Sequence, residues 1–323
     1  MVGRLPIEAD LDDSGEPSEN GTNPMRVAVL LNPSSGPTRE GVAESEISLA
    51  FDAVGLKPEV IRLQGGMDVR SAVAERVRLG FSAVVAAGGD GTVSTVGSAL
   101  AGTDTALGVL PTGTLNHFAR DMRLPIDLAA AAGVIARGYS TYVDVAEVNG
   151  RVFLNNSSIG FYPTVVMERE RLMRRGISKT MAIVPAALTA MSRFPNINVR
   201  MTTEKKGLVT RTPFLFVGNN QYEFSGLQAG SRSRLCGGLL QLCTVASPNR
   251  TALIRAVVLA LFGRKDLAPG VVTLDARWVK VETLRRFVSV ALDGEIVRLA
   301  SPLVYSIRPG ALKVIVAEPE AEC

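Results

Sequence analysis

The chain has 323 residues, of which 46% are hydrophobic and 20% are charged. This length and composition indicate a globular protein with two domains of ordinary size. The sequence contains a single histidine, His117, so zinc sites that need several histidines are excluded. A Ser-His-Asp hydrolase would have to use His117, and no G-x-S-x-G motif supports one.

The first 24 residues differ from the rest in composition, with six acidic residues, one basic residue and little apolar pattern. We predict that residues 1–24 form a disordered acidic tail. Removing the tail's net charge of −5 from the chain's +4 leaves +9 on the remaining residues. That excess favours an anionic partner such as a nucleotide, an acidic lipid surface or nucleic acid.

Three sequence features indicate the cytoplasm. The first residues show no basic segment followed by an apolar run, so no secretory signal is expected. The longest apolar runs, Ala252 to Phe262 and Met181 to Met191, are shorter than the roughly 20 residues of a membrane-spanning helix. Three cysteines without metal-binding spacing indicate free thiols in a reducing compartment. A cytoplasmic location leaves room for peripheral contact with the inner face of a membrane.

Residues 25–138 alternate between predicted strands and helices. The predicted elements are a strand at Arg26–Leu31, a helix at Glu40–Val54, a strand at Glu59–Leu63, a helix at Val69–Leu79, a strand at Ala83–Ala87, a helix at Ser94–Leu100 and a strand at Ala106–Leu110. Such alternation predicts an α/β domain with a Rossmann-like parallel sheet. In sheets of this kind, ligands bind beyond the carboxyl ends of the strands.

From residue 139 the pattern changes to short β-rich runs. The predicted strands are Thr141–Val148, Val152–Asn155, Asn198–Thr202, Phe214–Gly218, Leu239–Val245, Val271–Leu274, Val279–Glu282 and Val288–Leu292. Their spacing predicts an antiparallel β-sandwich at 139–317. Helices are predicted at Val165–Met173 and Ala252–Phe262. The pattern does not decide whether the final strand, Leu312–Val316, completes this sandwich or returns to the first domain.

The strongest motif is Gly88-Gly89-Asp90-Gly91-Thr92, which stands between a predicted strand and a predicted helix. Glycines let the backbone approach a phosphate closely, and the N–H groups at a helix start favour negative charge. Asp90 adds a carboxylate that can orient a metal ion or a proton. The alternative is a tight strand-to-helix turn, which would need fewer glycines and no acid.

Three further motifs are weaker when each is taken alone. Pro111-Thr112-Gly113-Thr114-Leu115-Asn116 follows another strand, but it also fits an ordinary helix N-cap. Asn32 to Gly36 consists of common turn dipeptides. Leu292-Asp293-Gly294-Glu295 supplies paired carboxylates suited to general-base phosphoryl transfer, and it also fits a hairpin turn.

Taken in order, these four motifs resemble the diacylglycerol-kinase catalytic family, which includes sphingosine, ceramide and bacterial lipid kinases. The family pattern is an early Asn-Pro-x-x-Gly, then GGDGT, then Pro-x-Gly-Thr-x-Asn with a Phe-Ala-Arg-like run, and a late Asp-Gly-Glu. The resemblance covers roughly residues 25 to 317. It implies a nucleotide-binding domain at 25–138, a lipid-substrate domain at 139–317 and an active site between them.

The resemblance also implies an activity, the ATP-dependent phosphorylation of a hydroxyl of diacylglycerol or a related lipid, with Mg²⁺. Asp293 or Glu295 would accept the proton of the hydroxyl, and Asp90 would help to organise Mg²⁺ and phosphate. The residues implied for ATP binding are Asn32, Pro33, Ser34, Ser35, Gly36, Gly88, Gly89, Asp90, Gly91, Thr92, Val93, Ser94, Gly113, Thr114 and Asn116. We expect the lipid pocket in the second domain, including Asn155 to Phe161 and Phe216 to Phe224. An apolar groove does not define which lipid it takes.

The sequence departs from the family pattern at two places. His117 stands where many relatives have Asp, and a hydrogen-bonded structural histidine is the alternative to a role in the site. The segment Leu235 to Gln241 lacks the Asp-Asp-Gly run that supplies a structural metal site in relatives. We therefore predict that this second metal site is missing.

Basic and apolar residues are interleaved between Met167 and Lys179, which indicates either a solvated helix or a surface that docks on an anionic membrane. The basic members are Arg169, Arg171, Arg174, Arg175 and Lys179, and Glu168 and Glu170 dilute their charge.

Two other functions remain alternatives to a lipid kinase. The acids missing near Cys236 would suit a lipid- or nucleotide-binding protein without catalysis. An NAD-kinase-like enzyme with a soluble substrate would share the glycine motif, but its Asn-Asn-Glu segment is lacking in a suitable place. Nucleic-acid binding is disfavoured because no motif combines basic and aromatic residues at a recognisable spacing.

Overall fold

The computed structural model describes residues 25–33, 35, 43–64, 66–193, 196–223, 231–232, 234–245 and 271–318. The predicted acidic tail and the predicted helix at Ala252–Phe262 lie outside the described residues. Within those ranges, each helix is too short or too polar to cross a membrane.

The N-terminal half is a parallel sheet that packs against helices. Its strands are β1 (Val27–Leu31), β2 (Glu59–Arg62), β3 (Ala83–Gly88) and β4 (Ala106–Pro111), and its helices are α1 (Glu44–Asp52), α2 (Val69–Arg78), α3 (Asp90–Leu100), α4 (His117–Asp121) and α5 (Leu128–Arg137). The strand order is β2-β1-β3-β4, and all neighbouring pairs are parallel. Every residue of β1, β3 and β4 is buried, as expected for strands covered on both faces. The predicted parallel α/β architecture is confirmed.

Helix α3 begins earlier than the sequence pattern predicts. The predicted start is Ser94, whereas the helix begins at Asp90, so Asp90, Gly91 and Thr92 form its first turn. Gly89 precedes this turn in an extended conformation, and the Asp90 carboxylate complements the positive end of the helix dipole. That favourable charge offsets the low helix propensity of Gly91. The second half of the glycine motif is therefore a helix N-terminus and not a loop.

In the described part of the C-terminal half, two α-helices accompany many strands. The strands are β5 (Ser140–Val148), β6 (Arg151–Phe153), β7 (Asn156–Gly160), β8 (Ile197–Thr203), β9 (Gly207–Thr212), β10 (Phe214–Asn219), β11 (Tyr222–Glu223), β12 (Ser231–Arg232), β13 (Leu240–Val245), β14 (Val271–Ala276), β15 (Trp278–Thr283), β16 (Phe287–Leu292), β17 (Glu295–Ala300) and β18 (Leu303–Ile315). The helices, α6 (Phe161–Met173) and α7 (Lys179–Arg193), lie between β7 and β8.

An antiparallel sheet in the order β14-β13-β10-β7-β16-β17 forms one layer of the C-terminal half. It packs on the sheet that contains β15 and β18. Their shared core includes Leu215 from the first layer and Val281 and Tyr305 from the second. The predicted antiparallel sandwich is confirmed.

The last strand joins the two halves. β18 pairs antiparallel with β15 and β5, and near its end it pairs parallel with β4, where Val314 lies opposite Leu107. The parallel sheet therefore continues into one layer of the sandwich, in the order β2-β1-β3-β4-β18-β15-β8-β9. The strand predicted at Leu312–Val316 is the end of this long strand, and it does return to the first sheet.

Helix α7 and strand β7 are among the elements that the hydrophobic pattern does not predict. Helix α7 buries the small residues Ala182, Ala186 and Ala190, so it lacks the periodicity of a helix that buries large side chains. Strand β7 buries Ser157 and Ser158, which a search for apolar runs does not find. Strand β7 begins at Asn156, a residue of the candidate site, and α7 packs against α6.

Candidate active site

A cleft of about 860 Å³ lies where β1, β3 and β4 end, and the turn between β16 and β17 also lines it. All four sequence motifs contribute to its wall. The predicted site residues that line the cleft are Asn32, Ser35, Gly89, Asp90, Gly91, Thr92, Gly113, Thr114, Asp293 and Glu295.

The other predicted site residues have different positions. Ser34 and Gly36 lie outside the described residues. Gly88 and Val93 are buried next to the first turn of α3, and Pro33 is half-buried in the turn after β1. Gly88, Val93 and Pro33 do not line the cleft themselves, but they adjoin residues that do.

Asn32 connects the end of β1 to the start of α3. Its backbone N–H donates to the carbonyl of Ala87 (2.9 Å), and its Nδ2 donates to Thr92 Oγ1 (3.0 Å). The Thr92 side chain lies against Gly88, where a Cβ would come within 2.4 Å of Thr92 Oγ1. Gly88 therefore permits the close approach that fixes the first helical turn.

The loop after β4 touches the glycine motif directly. A Cβ on Gly113 would lie 2.4 Å from the Cα of Gly89, so these glycines let the two backbones meet. Asn116, with φ of 51°, donates from Nδ2 to the carbonyls of Pro111 (3.2 Å) and Gly113 (2.8 Å). Its Oδ1 accepts the N–H of Gly113 (3.0 Å). The Asn116 amide thus holds the loop in shape, and Thr114 of the same loop lines the cleft.

Asp90 connects the first turns of two helices. Its Oδ1 accepts the backbone N–H of Phe118 in α4 at 3.2 Å. A carboxylate has about four acceptor positions, so this bond leaves capacity for a further ligand. His117, one residue earlier, is exposed and lines the same cleft.

The oxygen ligands around Asp90 fit a magnesium ion that is held mainly by its substrate. Mg²⁺ is commonly bound by one or two carboxylates together with phosphate oxygens and water. Asp90 supplies such a carboxylate, and Glu295 faces the same space. No group of three or more His, Cys, Asp and Glu that could form a complete metal cage occurs in the part of the chain that the structure describes.

Asp293 lies in the tight turn between β16 and β17. Asp293 and Gly294 both have positive φ, 47° and 89°, which is typical of a two-residue type I′ hairpin. The hairpin interpretation of this motif is therefore confirmed, and the role of Asp293 in a site stays a prediction. The turn brings the Asp293 carboxylate to the cleft beside α3.

The Asp293 carboxylate is held by four hydrogen bonds. Its Oδ1 accepts the backbone N–H groups of Asn155 (2.8 Å) and Asn156 (3.0 Å). Its Oδ2 accepts the N–H of Leu154 (2.8 Å) and the hydroxyl of Ser94. The carboxylate therefore joins the C-terminal sheet to helix α3. Sequence reasoning assigned Asn155 and Asn156 to the lipid pocket but missed that the 154–156 backbone holds Asp293, because backbone N–H donors leave no residue signature.

Two opposing effects act on the proton affinity of Asp293. Burial raises the pKa of its carboxyl group, and the hydrogen bonds from Ser94 and from the backbone of Leu154, Asn155 and Asn156 lower the pKa in part. The net direction is a pKa above the ordinary value. A raised pKa suits a group that accepts a proton during reaction near neutral pH.

A buried ion pair supports the cleft from behind. Arg232 Nε donates to Asp121 Oδ2 (2.8 Å), and both side chains are almost completely buried. The Arg232 guanidinium also donates to the carbonyl of Leu154 (2.7 Å) and to Asn155 Oδ1 (2.8 Å). It therefore fixes the same segment that holds Asp293. The sequence offers one signal, because Asp121 ends the run that follows the Pro-x-Gly-Thr-x-Asn motif.

Aromatic side chains form part of the C-terminal wall. Phe216 and Tyr222 meet edge to face with ring centroids 5.2 Å apart, and both line the cleft with Tyr162. Burial raises the pKa of Tyr222 to about 12, so its hydroxyl stays protonated. The described parts of the two predicted pocket segments, 155–161 and 216–223, thus contribute Asn155, Asn156, Phe216 and Tyr222 to the wall.

The segment near Cys236 is arranged around a buried carboxylate. Asp144 accepts the N–H of Gly238 (2.8 Å) and the N–H of Gly310 (2.9 Å). Cys236 itself is exposed. Both oxygens of Asp144 are engaged by backbone donors, which is consistent with a loop shaped by hydrogen bonds. The absence of a second metal site here stays a prediction.

Two family models match the chain in succession. Residues 26–148 match the diacylglycerol kinase catalytic domain, and residues 163–316 match the YegS C-terminal NAD kinase beta sandwich-like domain. The first match contains three of the four motifs, and the second contains the Asp293 hairpin.

Curated relatives match over most of their length. A protein of Mycobacterium tuberculosis named "Diacylglycerol kinase" is 31% identical over 305 residues, which cover 90% of this chain and 94% of the relative. A Pseudomonas aeruginosa protein named "Probable lipid kinase YegS-like" is 29% identical, with 76% of this chain and 80% of the relative covered.

Solved structures show the same fold. A diacylglycerol kinase from Bacillus anthracis superposes with a TM-score of 0.62 at 19% identity, over 90% of this chain and 97% of that one. Yeast NADH kinase, solved with NADH, gives a TM-score of 0.54 at 11% identity, over 93% and 86% of the two chains. These likenesses show the fold, and the 31% identical relative together with the two family models establishes that the chain belongs to the diacylglycerol kinase family.

Proposed function

We propose that this protein transfers the terminal phosphate of ATP to a hydroxyl of diacylglycerol or a related lipid, with Mg²⁺. The observation that carries the proposal is the hydrogen bond between Ser94 and Asp293. Ser94 lies one helical turn after Asp90, at the N-terminus of α3. The bond brings the Asp293 carboxylate of the C-terminal sheet next to the N-terminal end of α3, which supports a role for Asp293 as proton acceptor beside bound phosphate.

The start of α3 supplies the donors for the phosphate groups. The first N–H groups of a helix have no partner within the helix, and the helix dipole favours negative charge there. Asp90 and Gly91 occupy these positions and line the cleft. The loop after β4, which contacts the glycine motif at Gly89, would add the hydroxyl of Thr114 as a further donor. Glycines at 89 and 113 keep side chains out of the space that the phosphates would fill.

Asp90 would hold the metal ion together with phosphate oxygens. When bound, Mg²⁺ neutralises the negative charge that develops on the phosphates during transfer. The bond from Phe118 to Asp90 Oδ1 fixes the carboxylate so that its remaining acceptor positions are available. Asp90 would thus orient the ion without a protein cage.

Asp293 would accept the proton of the lipid hydroxyl. Its four hydrogen bonds fill the usual capacity of a carboxylate, so one donor must give way to the substrate. Ser94 is the donor that can rotate, because the other three are backbone N–H groups. The substrate O–H bond then breaks towards Asp293 as its oxygen bonds to the γ-phosphorus, and ADP leaves with the electrons of the broken P–O bond.

Two observations support a lipid as the substrate. Phe216, Tyr222 and Tyr162 give the cleft an aromatic side next to Asp293. The M. tuberculosis relative carries the name "Diacylglycerol kinase".

The exposed free thiol of Cys236 supports a reducing compartment, and we therefore assign the reaction to the cytoplasm.

The test is phosphate transfer from labelled ATP to a panel of lipids in mixed micelles with Mg²⁺. We expect one lipid class to be labelled, and we expect Asp293→Asn to lower the rate by at least 100-fold. Glu295→Gln is the matched control, because Glu295 lines the cleft as an exposed side chain. ATP binding and thermal unfolding are measured for each variant to show that it is folded.

Transfer that needs Asp293 and tolerates Glu295→Gln would support Asp293 as the proton acceptor. The reverse result would assign the role to Glu295. Binding of ATP without transfer to any lipid would overturn the proposal and favour a binding protein.

A further inference from the structure

Helix α7 has large apolar side chains on its exposed face and small ones on its buried face. The buried positions Ala182, Ala186 and Ala190 are completely inaccessible to solvent. The outward side chains Met181, Val184 and Leu188, spaced i, i+3 and i+7, have exposed fractions of 73%, 65% and 66%. A surface helix of a globular protein normally shows the opposite arrangement. Contiguous exposed apolar side chains indicate an interaction surface.

The sequence of α7 contains no charged residue between Lys179 and Arg193. The helix has 15 residues and is therefore roughly 22 Å long, which is shorter than the hydrocarbon core of about 30 Å. A helix of this kind can lie in the plane of a membrane interface but cannot cross it.

Basic side chains lie next to this apolar face. Arg171, Arg174 and Arg175 are exposed at the end of α6 and in the connection to α7, with Glu170 as the exposed acid among them. Arg193, at the end of α7, bonds to Glu168 of α6. This pair connects α7 to α6. The α6–α7 connection, at the other end of α7, carries Arg174 and Arg175, whose positive charge complements anionic lipid headgroups.

Helix α6 also reaches the cleft. Tyr162 and Arg169, both on α6, line the cleft that contains Asp293. Because α7 packs against α6, a partner that binds the apolar face of α7 would lie close to the cleft. This proximity matters for an enzyme whose substrate is a lipid.

We propose that the exposed face of α7 inserts into the interface of an anionic membrane while the arginines at the end of α6 contact its headgroups. The membrane is the occupant that fits both features, because it offers apolar chains beside negative charge. This inference deepens the proposed function and rests on it for its purpose, since docking would give the cleft access to a membrane lipid.

The test is the binding of the full-length protein to vesicles with 30% anionic phospholipid and to neutral vesicles. We expect Val184→Glu/Leu188→Glu to bind anionic vesicles at least ten-fold more weakly than the parent. Leu49→Glu is the matched control, because Leu49 is 72% exposed on helix α1 and should leave binding unchanged. Arg174→Glu/Arg175→Glu should lose roughly five-fold per arginine at low salt and little at high salt.

A second measurement follows the helix directly. Leu188→Trp, in a Trp278→Phe background, should show blue-shifted fluorescence on anionic vesicles if α7 enters the interface. An unshifted spectrum, or equal vesicle binding by the parent and by Val184→Glu/Leu188→Glu, would overturn the proposal.

Other occupants of the face give distinct results. A dimer that dissociates in Val184→Glu/Leu188→Glu, seen by analytical ultracentrifugation, would assign the face to a second copy and overturn membrane docking. A large fall in the melting temperature of that variant without vesicles would assign it to another segment of the chain, with the same consequence.

Docking and catalysis can fail separately. Vesicle binding through α7 by a protein that phosphorylates no lipid would retain docking and reject the kinase proposal. Phosphorylation of a short-chain soluble lipid by a protein whose vesicle binding is unchanged by substitutions in α7 would retain the kinase proposal and reject docking.

Discussion

The hydroxyl of Ser94 donates a hydrogen bond to the carboxylate of Asp293, across 199 positions of sequence. Ser94 belongs to the helix that begins in the glycine motif, and Asp293 belongs to a hairpin of the sandwich. The same carboxylate accepts three backbone N–H groups, so it is fully coordinated before any substrate arrives.

Ser94→Ala should move the pH dependence of the reaction. The Ser94 bond lowers the pKa of Asp293 against the larger effect of burial, so its loss should raise that pKa further. Because the ionised carboxylate accepts the proton, activity falls as pH drops through this pKa. The acid limb of the kcat/KM profile should therefore lie above pH 3.8 in the parent and shift to higher pH in the variant.

Ser98→Ala is the matched control for this measurement. Ser98 lies one turn further along α3 and donates to the carbonyl of Val152. Its loss should leave the acid limb in place. Identical limbs in Ser94→Ala and the parent would show that the bond does not affect the proton acceptor.

Gly113→Ala should disrupt the contact between the loop after β4 and Gly89, which precedes α3. A Cβ at this position would lie 2.4 Å from the Cα of Gly89. Overpacking of this kind costs about 1–3 kcal/mol of stability, and the displaced loop should also weaken ATP binding. Denaturant unfolding and calorimetric titration with ATP measure the two effects.

Gly133→Ala, in the middle of α5, provides the comparison. The nearest atom to its new Cβ is the end of the Arg137 side chain at 3.8 Å, so the methyl group fits. Alanine in a helix interior should stabilise the protein by about 0.5–1 kcal/mol. Equal stability losses in both glycine variants would contradict the importance of the Gly89–Gly113 contact.

Asp121→Ala should destabilise the protein strongly. The substitution leaves the buried Arg232 guanidinium without its carboxylate partner, which typically costs about 3–5 kcal/mol. Urea unfolding measures the loss. Glu282→Gln removes an acid from an exposed pair with Lys280 and should cost less than about 1 kcal/mol. Comparable losses in the two variants would refute the structural role of the buried pair.

Asp90→Asn should change the magnesium requirement more than the fold. The amide oxygen can still accept the N–H of Phe118, but the negative charge that attracts a cation is gone. We expect the Mg²⁺ concentration for half-maximal activity to rise at least ten-fold, while loss of the charge at the start of α3 should cost only about 0.3–1 kcal/mol of stability. A magnesium titration identical to that of the parent would exclude Asp90 as a ligand.

The sequence was sufficient to predict the parallel sheet and the meeting of three motifs at its edge, and the family resemblance added the Asp293 motif to the site. Buried strands such as β1 and β3 are continuous apolar runs, and parallel strands place their following loops together. The ion pair of Asp121 with Arg232 was missed, because no spacing rule connects residues on different elements.

The sequence pattern also did not predict the hydrogen bonds of Asn116 or the exposed apolar face of α7. Asn116 looks like a ligand residue in a motif, but its amide is occupied by its own loop. The exposed apolar side of α7 violates the usual inside-outside rule, so periodicity could not place it. Both cases depend on where a side chain points, which only the folded chain defines.

Strand β18 also limits how the cleft can open. Because Val314 pairs with Leu107 while the first part of the strand pairs with β15, a hinge between the halves would have to break a continuous sheet. Entry and exit of substrates should therefore involve small movements, such as rotation of Ser94 and shifts of the loops around the cleft. The protein should behave as a single mechanical unit, with heat unfolding both halves in one cooperative transition.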